Sequence, residues 1–134
     1  MKFLTQIVLV VSFVVGTANA DVQLPFRFEC TAPSTRTHDE FKIGTFRNLG
    51  NTFLQVEGSW RRAFILRAID QVDGNYTFTA DSRFAVNAMP PAFDVALRIR
   101  RLNGSSGRGT FTVITRNLDG DQTRNYPITC STWD

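Results

Sequence analysis

The chain has 134 residues, 43% of them hydrophobic and 20% charged, with a formal net charge of +3 at pH 7. This length suits one domain with one core and is too short for two. The weak positive charge is not typical of a nucleic-acid-binding protein, and we expect no nucleic-acid partner.

Residues 1–20 have the three regions of a signal peptide. A basic start at Lys2 is followed by an apolar run over residues 3–15 and by the small-x-small sequence Ala18-Asn19-Ala20. The apolar run is too short to span a bilayer comfortably. The sequence therefore predicts a cleaved signal peptide, residues 1–20, and a secreted or periplasmic β-domain, residues 21–134, with no membrane span after cleavage.

Cys30 and Cys130 are the two cysteines of the chain, one near each end of the predicted mature domain. In an oxidising compartment such a pair normally joins, and we expect one structural disulfide. The alternative is a pair of free reactive or metal-binding thiols. It lacks the close spacing and the histidine partners that such sites use.

Apolar and polar residues alternate along most of the domain, which is the period of β-strands that bury one face. The first predicted strand has Val22, Leu24, Phe26, Phe28 and Cys30 on its inward face, and the last has Tyr126, Ile128 and Cys130. Between them, strands are predicted over residues 41–47, 52–58, 60–69, 75–80, 84–88, 93–101 and 108–117. Turns rich in Gly, Asn and Asp separate them, Pro90 and Pro91 interrupt the ladder, and residues 31–40 are expected to form a surface loop.

This order of strands predicts an all-β fold, a single small antiparallel β-barrel or β-sandwich of about eight to nine strands closed by one disulfide. Both cysteines fall on the inward face of the first and last strands. Their proximity favours closure into a barrel, although a Greek-key sandwich also places end strands side by side.

Arg98, Arg100 and Arg101 form the most distinctive local feature. Alternation with buried residues turns Arg98 and Arg100 outward, beside a neighbouring strand that offers Thr110 and Thr112. Such a surface could accept carboxylates, sulfates or phosphates through bidentate contacts. The alternative is an ordinary solvated sheet face whose arginines pair with acidic neighbours.

Arg62 opens a strand whose strict period turns it toward the interior, together with Phe64 and Leu66. A β-bulge at the Arg61–Arg62 pair would restore the pattern. The other interpretation is a charged residue at the mouth or in the lumen of a barrel, where it could orient an anionic ligand.

His38 is the only histidine and is followed by Asp39 and Glu40. A catalytic acid–base pair or a partial metal site could be built this way, but the polar run around His38 favours a solvated loop residue. The sequence has no nucleophile elbow, no pair of histidines at metal-ligand spacing and no phosphate-binding glycine motif. We therefore predict no catalytic residue, no metal and no cofactor.

The general layout resembles that of bacterial periplasmic lysozyme inhibitors, which have a signal peptide followed by a small all-β domain tied at its ends by cysteines. Residues 105–111, which include Ser106 and Arg108, are loosely similar to their Ser-Gly-rich binding loop, but the expected tyrosine and a later Lys-Gly are absent. Membership of that family is not assigned.

The function expected from the sequence is that of an exported, non-enzymatic, inhibitor-like binding domain. It would recognise a protein partner or an anionic glycan through its loops and an arginine-bearing face. The first alternative is a small barrel that carries an apolar or lipid-like ligand, which requires an interior cavity. The second is a small secreted hydrolase, which requires His38 to meet carboxylates across the fold.

Overall fold

A computed structural model describes residues 22–59, 61–82 and 92–134. The predicted signal peptide, Trp60 and the strand predicted over residues 84–88 lie outside these ranges. The described residues form eight strands: β1 (Arg27–Ala32), β2 (Phe41–Asn48), β3 (Asn51–Glu57), β4 (Arg61–Val72), β5 (Asn75–Asp81), β6 (Ala92–Arg101), β7 (Ser106–Asn117) and β8 (Gly120–Trp133).

The eight strands form a closed antiparallel barrel in which each strand pairs with the next and β8 pairs back with β1. The alternation of apolar and polar residues explains this arrangement, because every strand places one face inside and the other in solvent. The structure thus confirms an all-β fold and selects the barrel over the sandwich.

The predicted disulfide is confirmed at the seam of this barrel. Cys30 on β1 is the direct ladder partner of Cys130 on β8, and the two sulfur atoms are bonded. Both cysteines are buried. The covalent link and the last backbone ladder therefore close the ring at the same place.

Two of the turns have the positive φ angles that their sequence predicts. Leu49 and Gly50 connect β2 to β3 with φ values of 51° and 82°, and Asp73 and Gly74 connect β4 to β5 with 51° and 80°. Two consecutive residues in this conformation match the twist of the flanking strands in a tight hairpin. The tight connections fix the register on both sides.

Large side chains fill the interior of the barrel. The largest that are almost completely buried are Phe64, Phe78, Phe111, Ile43, Leu54, Leu97 and Ile99. They belong to one continuous cluster that also includes both cysteines. The centre of the described barrel is therefore a packed core.

The two ends of the barrel differ. At one end, which we call the plugged end, residues 22–26 precede β1 and cover the core. Phe26 is 3% exposed and meets the ring of Tyr76 edge to face at 4.8 Å between centroids. The first predicted strand was thus too long, because Val22 and Leu24 pack against the core without belonging to β1.

The opposite end, which we call the loop end, carries the connection from β1 to β2 and the turn between β7 and β8. The β7–β8 hairpin extends beyond the core there, and residues 117–125 are exposed.

Candidate functional site

Three arginines form a compact group on the outer face of β6 and β7. Arg98 and Arg100 alternate with buried residues of β6, and Arg108 of β7 is the direct ladder partner of Arg100. All three are exposed. Residues two apart on a strand are about 6–7 Å apart, and ladder partners have Cβ atoms about 5 Å apart. We call Arg98, Arg100 and Arg108 the arginine patch.

Threonine and asparagine side chains surround the arginine patch. Thr77 and Thr110 flank Arg98 on the neighbouring strands, Asn75 flanks Arg100, and Thr129 flanks Arg108. Arg98 also lines a shallow cleft with Thr77, Asn75, Asp70, Asp73 and Val72. The face thus offers guanidinium donors together with hydroxyl and amide groups, and the carboxylates of Asp70 and Asp73 share the cleft with Arg98.

Other arginines of the barrel are neutralised by carboxylates. Arg67 makes two hydrogen bonds with Asp81, at 3.1 and 3.2 Å, and Arg116 bonds Asp94 at 2.8 Å. Arg116 also bonds Asp121, and these hydrogen bonds to Asp94 and Asp121 raise the pKa of the Arg116 guanidinium. Within the described parts of the chain, no carboxylate lies within ion-pair distance of the three patch arginines.

The same sheet also carries a pair of like-charged carboxylates, and this pair has counter-ions. Asp81 and Asp94 are also direct ladder partners, but Arg67 and Arg116 neutralise them. The corresponding pair of cations, Arg100 and Arg108, has no such counter-ion among the described residues.

Arg101, which the sequence grouped with Arg98 and Arg100, is separate from the patch. It lies half-buried at the plugged end, with its Cζ atom 4.6 Å from the centroid of the Phe26 ring. Its guanidinium donates to the carbonyl oxygen of Gly104 at 2.8 Å, to Thr132 Oγ1 at 3.2 Å and to Asp134 at 3.1 Å. Arg101 therefore ties the segment before β1 to the end of β8.

Ser106 also has a local structural environment. It begins β7, and its hydroxyl donates to Asn103 Oδ1 at 3.2 Å, while its carbonyl accepts the backbone N–H of Leu102 at 2.9 Å. These bonds close the β6–β7 turn.

Arg62 lies at the loop end, and no bulge is present at the Arg61–Arg62 pair. The β3–β4 ladder runs without interruption through Val56 and Arg62, and the register shift of β4 lies instead between Leu66 and Ala68. The Arg62 guanidinium is exposed and rests over the ring of Phe93 at 4.3 Å. Because no shift separates Arg62 from Phe64 and Leu66, Arg62 keeps their inward register and lies at the mouth of the barrel, so the bulge expected at the Arg61–Arg62 pair was wrong.

His38 lies on the β1–β2 loop, as the sequence favoured, but it is less exposed than a solvated residue. It is half-buried, with its ring 5.6 Å from Phe41 and 5.0 Å from Tyr126 between centroids. Its Nδ1 bonds the carbonyl oxygen of Asp39 at 2.9 Å. No carboxylate group is placed against this ring by any hydrogen bond or ion pair in the described parts of the chain.

A cleft at the loop end lies around this histidine. Its lining comes from the β1–β2 loop, from Ser59 and from β8, and consists of Thr35, Arg36, Thr37, His38, Asp39, Phe41, Ser59, Arg124 and Tyr126. We call it the His38 cleft. No local pattern predicts this cleft, because His38 and Tyr126 are 88 positions apart and only the closing of the barrel brings them together.

Among residues 22–59, 61–82 and 92–134, no group of three or more His, Cys, Asp or Glu side chains could hold a metal ion. No helix in the same residues is long and apolar enough to cross a membrane. Comparisons with protein-family models, with curated proteins and with solved structures found no match for this chain.

Proposed function

We propose that this protein is an exported, non-enzymatic binding domain that recognises an anionic glycan through the arginine patch. The observation that carries the proposal is the Arg100–Arg108 ladder pair with Arg98 beside it, none of which has an ion pair with a carboxylate among the described residues. Like charges directly opposite on a sheet destabilise the fold. A bound sulfate or carboxylate would relieve this repulsion and accept bidentate hydrogen bonds from the guanidinium groups.

The composition of the face favours a glycan over a protein partner. Protein interfaces concentrate their binding energy in buried aromatic and aliphatic anchors. The patch arginines are instead surrounded by Thr77, Thr110, Asn75 and Thr129, which offer hydrogen bonds and little apolar surface. Hydroxyl and amide groups suit a hydroxyl-rich ligand that also carries negative charge.

The packed core and the surroundings of His38 give less support to the other two functions. A carrier of an apolar ligand needs interior space, whereas Phe64, Phe78 and Phe111 fill the centre of the described barrel. A hydrolase built on His38 needs a carboxylate at the ring, whereas Phe41 and Tyr126 pack against it.

Export is part of the proposal. The Cys30–Cys130 disulfide is consistent with an oxidising compartment, which agrees with the signal peptide predicted for residues 1–20.

Binding to immobilised heparin, chondroitin sulfate and polygalacturonate, with neutral dextran as the blank, tests the proposal. We expect the triple variant Arg98→Gln/Arg100→Gln/Arg108→Gln to lose about tenfold or more in affinity for the anionic polymer that binds. We also expect wild-type binding to weaken as salt is raised.

The matched control removes three other exposed cations, in the variant Arg27→Gln/Lys42→Gln/Arg61→Gln. Both variants lose the same net charge, so a non-specific attraction would weaken equally in the two. Equal losses, full retention of binding by the patch variant, or failure of the wild type to bind any of the three polymers would each reject the proposal.

A further inference from the structure

The His38 cleft has the dimensions of a small-molecule site and lies away from the arginine patch. Its volume is about 420 Å³, within the range of protein ligand pockets. It shares no residue with the patch. Arg124, in its lining, is five positions along β8 from Thr129, the ladder partner of Arg108, which corresponds to about 17 Å.

Hydrogen bonds hold the loop wall of the cleft in one shape. The backbone N–H of Thr35 donates to the carbonyl oxygen of His38 at 2.9 Å. The backbone N–H of Thr37 donates to Thr35 Oγ1, and the two threonine hydroxyls are bonded to each other, both at 3.2 Å. A wall that is already ordered costs a ligand little conformational entropy on binding.

Three rings form the floor of the cleft. His38, Phe41 and Tyr126 pack against one another, and Phe41 and Tyr126 meet edge to face at 5.1 Å between centroids. The bond from His38 to the Asp39 carbonyl requires a proton on Nδ1, since a carbonyl oxygen can only accept. Nε2 is thereby left for a second partner, and the ring is fixed by its packing.

Charge and hydroxyl groups surround these rings. Arg36 from the loop and Arg124 from β8 both line the cleft, and neither has an ion pair within the described residues. Thr35, Thr37 and Ser59 add hydroxyl groups, and Asp39 adds an acceptor. Two guanidinium groups, several hydroxyls and a small aromatic floor complement a ligand that has one carboxylate, several hydroxyls and an apolar ring face.

From these features we propose that the His38 cleft binds a single sugar-acid unit. Arg36 and Arg124 would hold the carboxylate, the hydroxyl groups and Asp39 would bond the sugar hydroxyls, and the Tyr126 and His38 rings would pack against the sugar ring. The proposal does not depend on polymer binding at the arginine patch, because the two sites have no residue in common.

Titration of the disulfide-bonded protein with sodium glucuronate, followed by NMR chemical shifts of the Tyr126 and His38 signals, tests this inference. Glucose and sodium acetate are the comparison ligands, since one lacks the carboxylate and the other lacks the ring. We expect saturable shifts with glucuronate and binding at least about tenfold weaker for each comparison ligand. A sugar-hydroxyl site would bind glucose as well as glucuronate, a general anion site would bind acetate as well, and either result would overturn the proposal.

Single variants identify the residues responsible. Arg36→Gln and Arg124→Gln should each weaken glucuronate binding by about tenfold, as expected for a lost charge-assisted hydrogen bond. Arg61→Gln makes the same charge change close to the loop end without touching the lining, and it should bind like the wild type. Unchanged affinity in both cleft variants would overturn the proposal. The triple patch variant should keep glucuronate binding. This result distinguishes a failure of the proposal for the His38 cleft from a failure of the proposal for the arginine patch.

Discussion

Cys30 and Cys130 face each other across the β1–β8 ladder, so that the covalent bond joins two residues already paired by the backbone. The link spans 100 positions in sequence, whereas most other ladders connect consecutive strands through short turns. The seam is therefore the contact of the barrel that costs the most chain entropy to form.

Removal of the disulfide should weaken the fold strongly. In the chain-entropy model, closing a loop of this length contributes about 4–5 kcal/mol. We expect Cys30→Ala/Cys130→Ala to lose a similar free energy of unfolding in urea titrations followed by circular dichroism. A loss below about 1 kcal/mol would show that the β1–β8 ladder holds the seam without the bond.

Removing one partner of the Arg100–Arg108 pair should stabilise the protein. Arg108→Thr relieves a like-charge contact, and we expect the free energy of unfolding to rise by about 0.2–1 kcal/mol. The gain should shrink in high salt because exposed charges are screened. Arg116→Gln is the contrasting variant: it should lower the thermal midpoint, since it loses bonds to Asp94 and Asp121. A destabilised Arg108→Thr protein would contradict an unrelieved repulsion at the patch.

Gly109 should not tolerate a side chain. A Cβ atom there would lie 1.7 Å from the carbonyl oxygen of Arg98, so an alanine must push β6 and β7 apart beneath the patch. We expect Gly109→Ala to cost about 1–3 kcal/mol or more in urea unfolding. Gly44 is the matched strand glycine with no neighbour within 4 Å, and Gly44→Ala should stabilise by about 0.5–1 kcal/mol. Equal effects of the two substitutions would argue against this close approach.

Phe26 should contribute heavily to stability although it lies outside the strands. Its ring is buried against Tyr76, Phe28 and Phe78 at the plugged end. We expect Phe26→Ala to lower the free energy of unfolding by about 3–5 kcal/mol. Leu118→Ala, at a side chain that is 90% exposed, should change it by less than about 0.5 kcal/mol. A small effect at Phe26 would mean that residues 22–26 do not seal the core in solution.

The strands were largely predictable from the sequence because alternation is a local signal. Residues 41–47 and 93–101 were predicted almost to the observed limits of β2 and β6. The choice between barrel and sandwich was not predictable, because both bury one face of every strand. The predicted first strand was too long because Val22 and Leu24 continue the apolar alternation of β1. A segment that packs against a core has this alternation whether or not it pairs with another strand.

The candidate sites show the same division between local and long-range information. Alternation alone placed Arg98 and Arg100 on the outer face. That Arg108 lies opposite Arg100 follows from the register of β6 and β7, which no local pattern contains. Arg101 differs from its neighbours through contacts with Phe26, 75 positions earlier in the chain, and with Thr132 and Asp134, more than 30 positions later.

The closure of the barrel also determines when folding can be completed during synthesis. One side of β1 finds its hydrogen-bonding partners only on β8, at the opposite end of the chain. Until β8 has been synthesised and docked, a nascent chain presents the unpaired edges of β1 and β7, which can template association with other chains. Shortening the chain by its last strand would recreate those edges permanently. The fourteen-residue strand β8 therefore covers both of the edges at which another chain could pair.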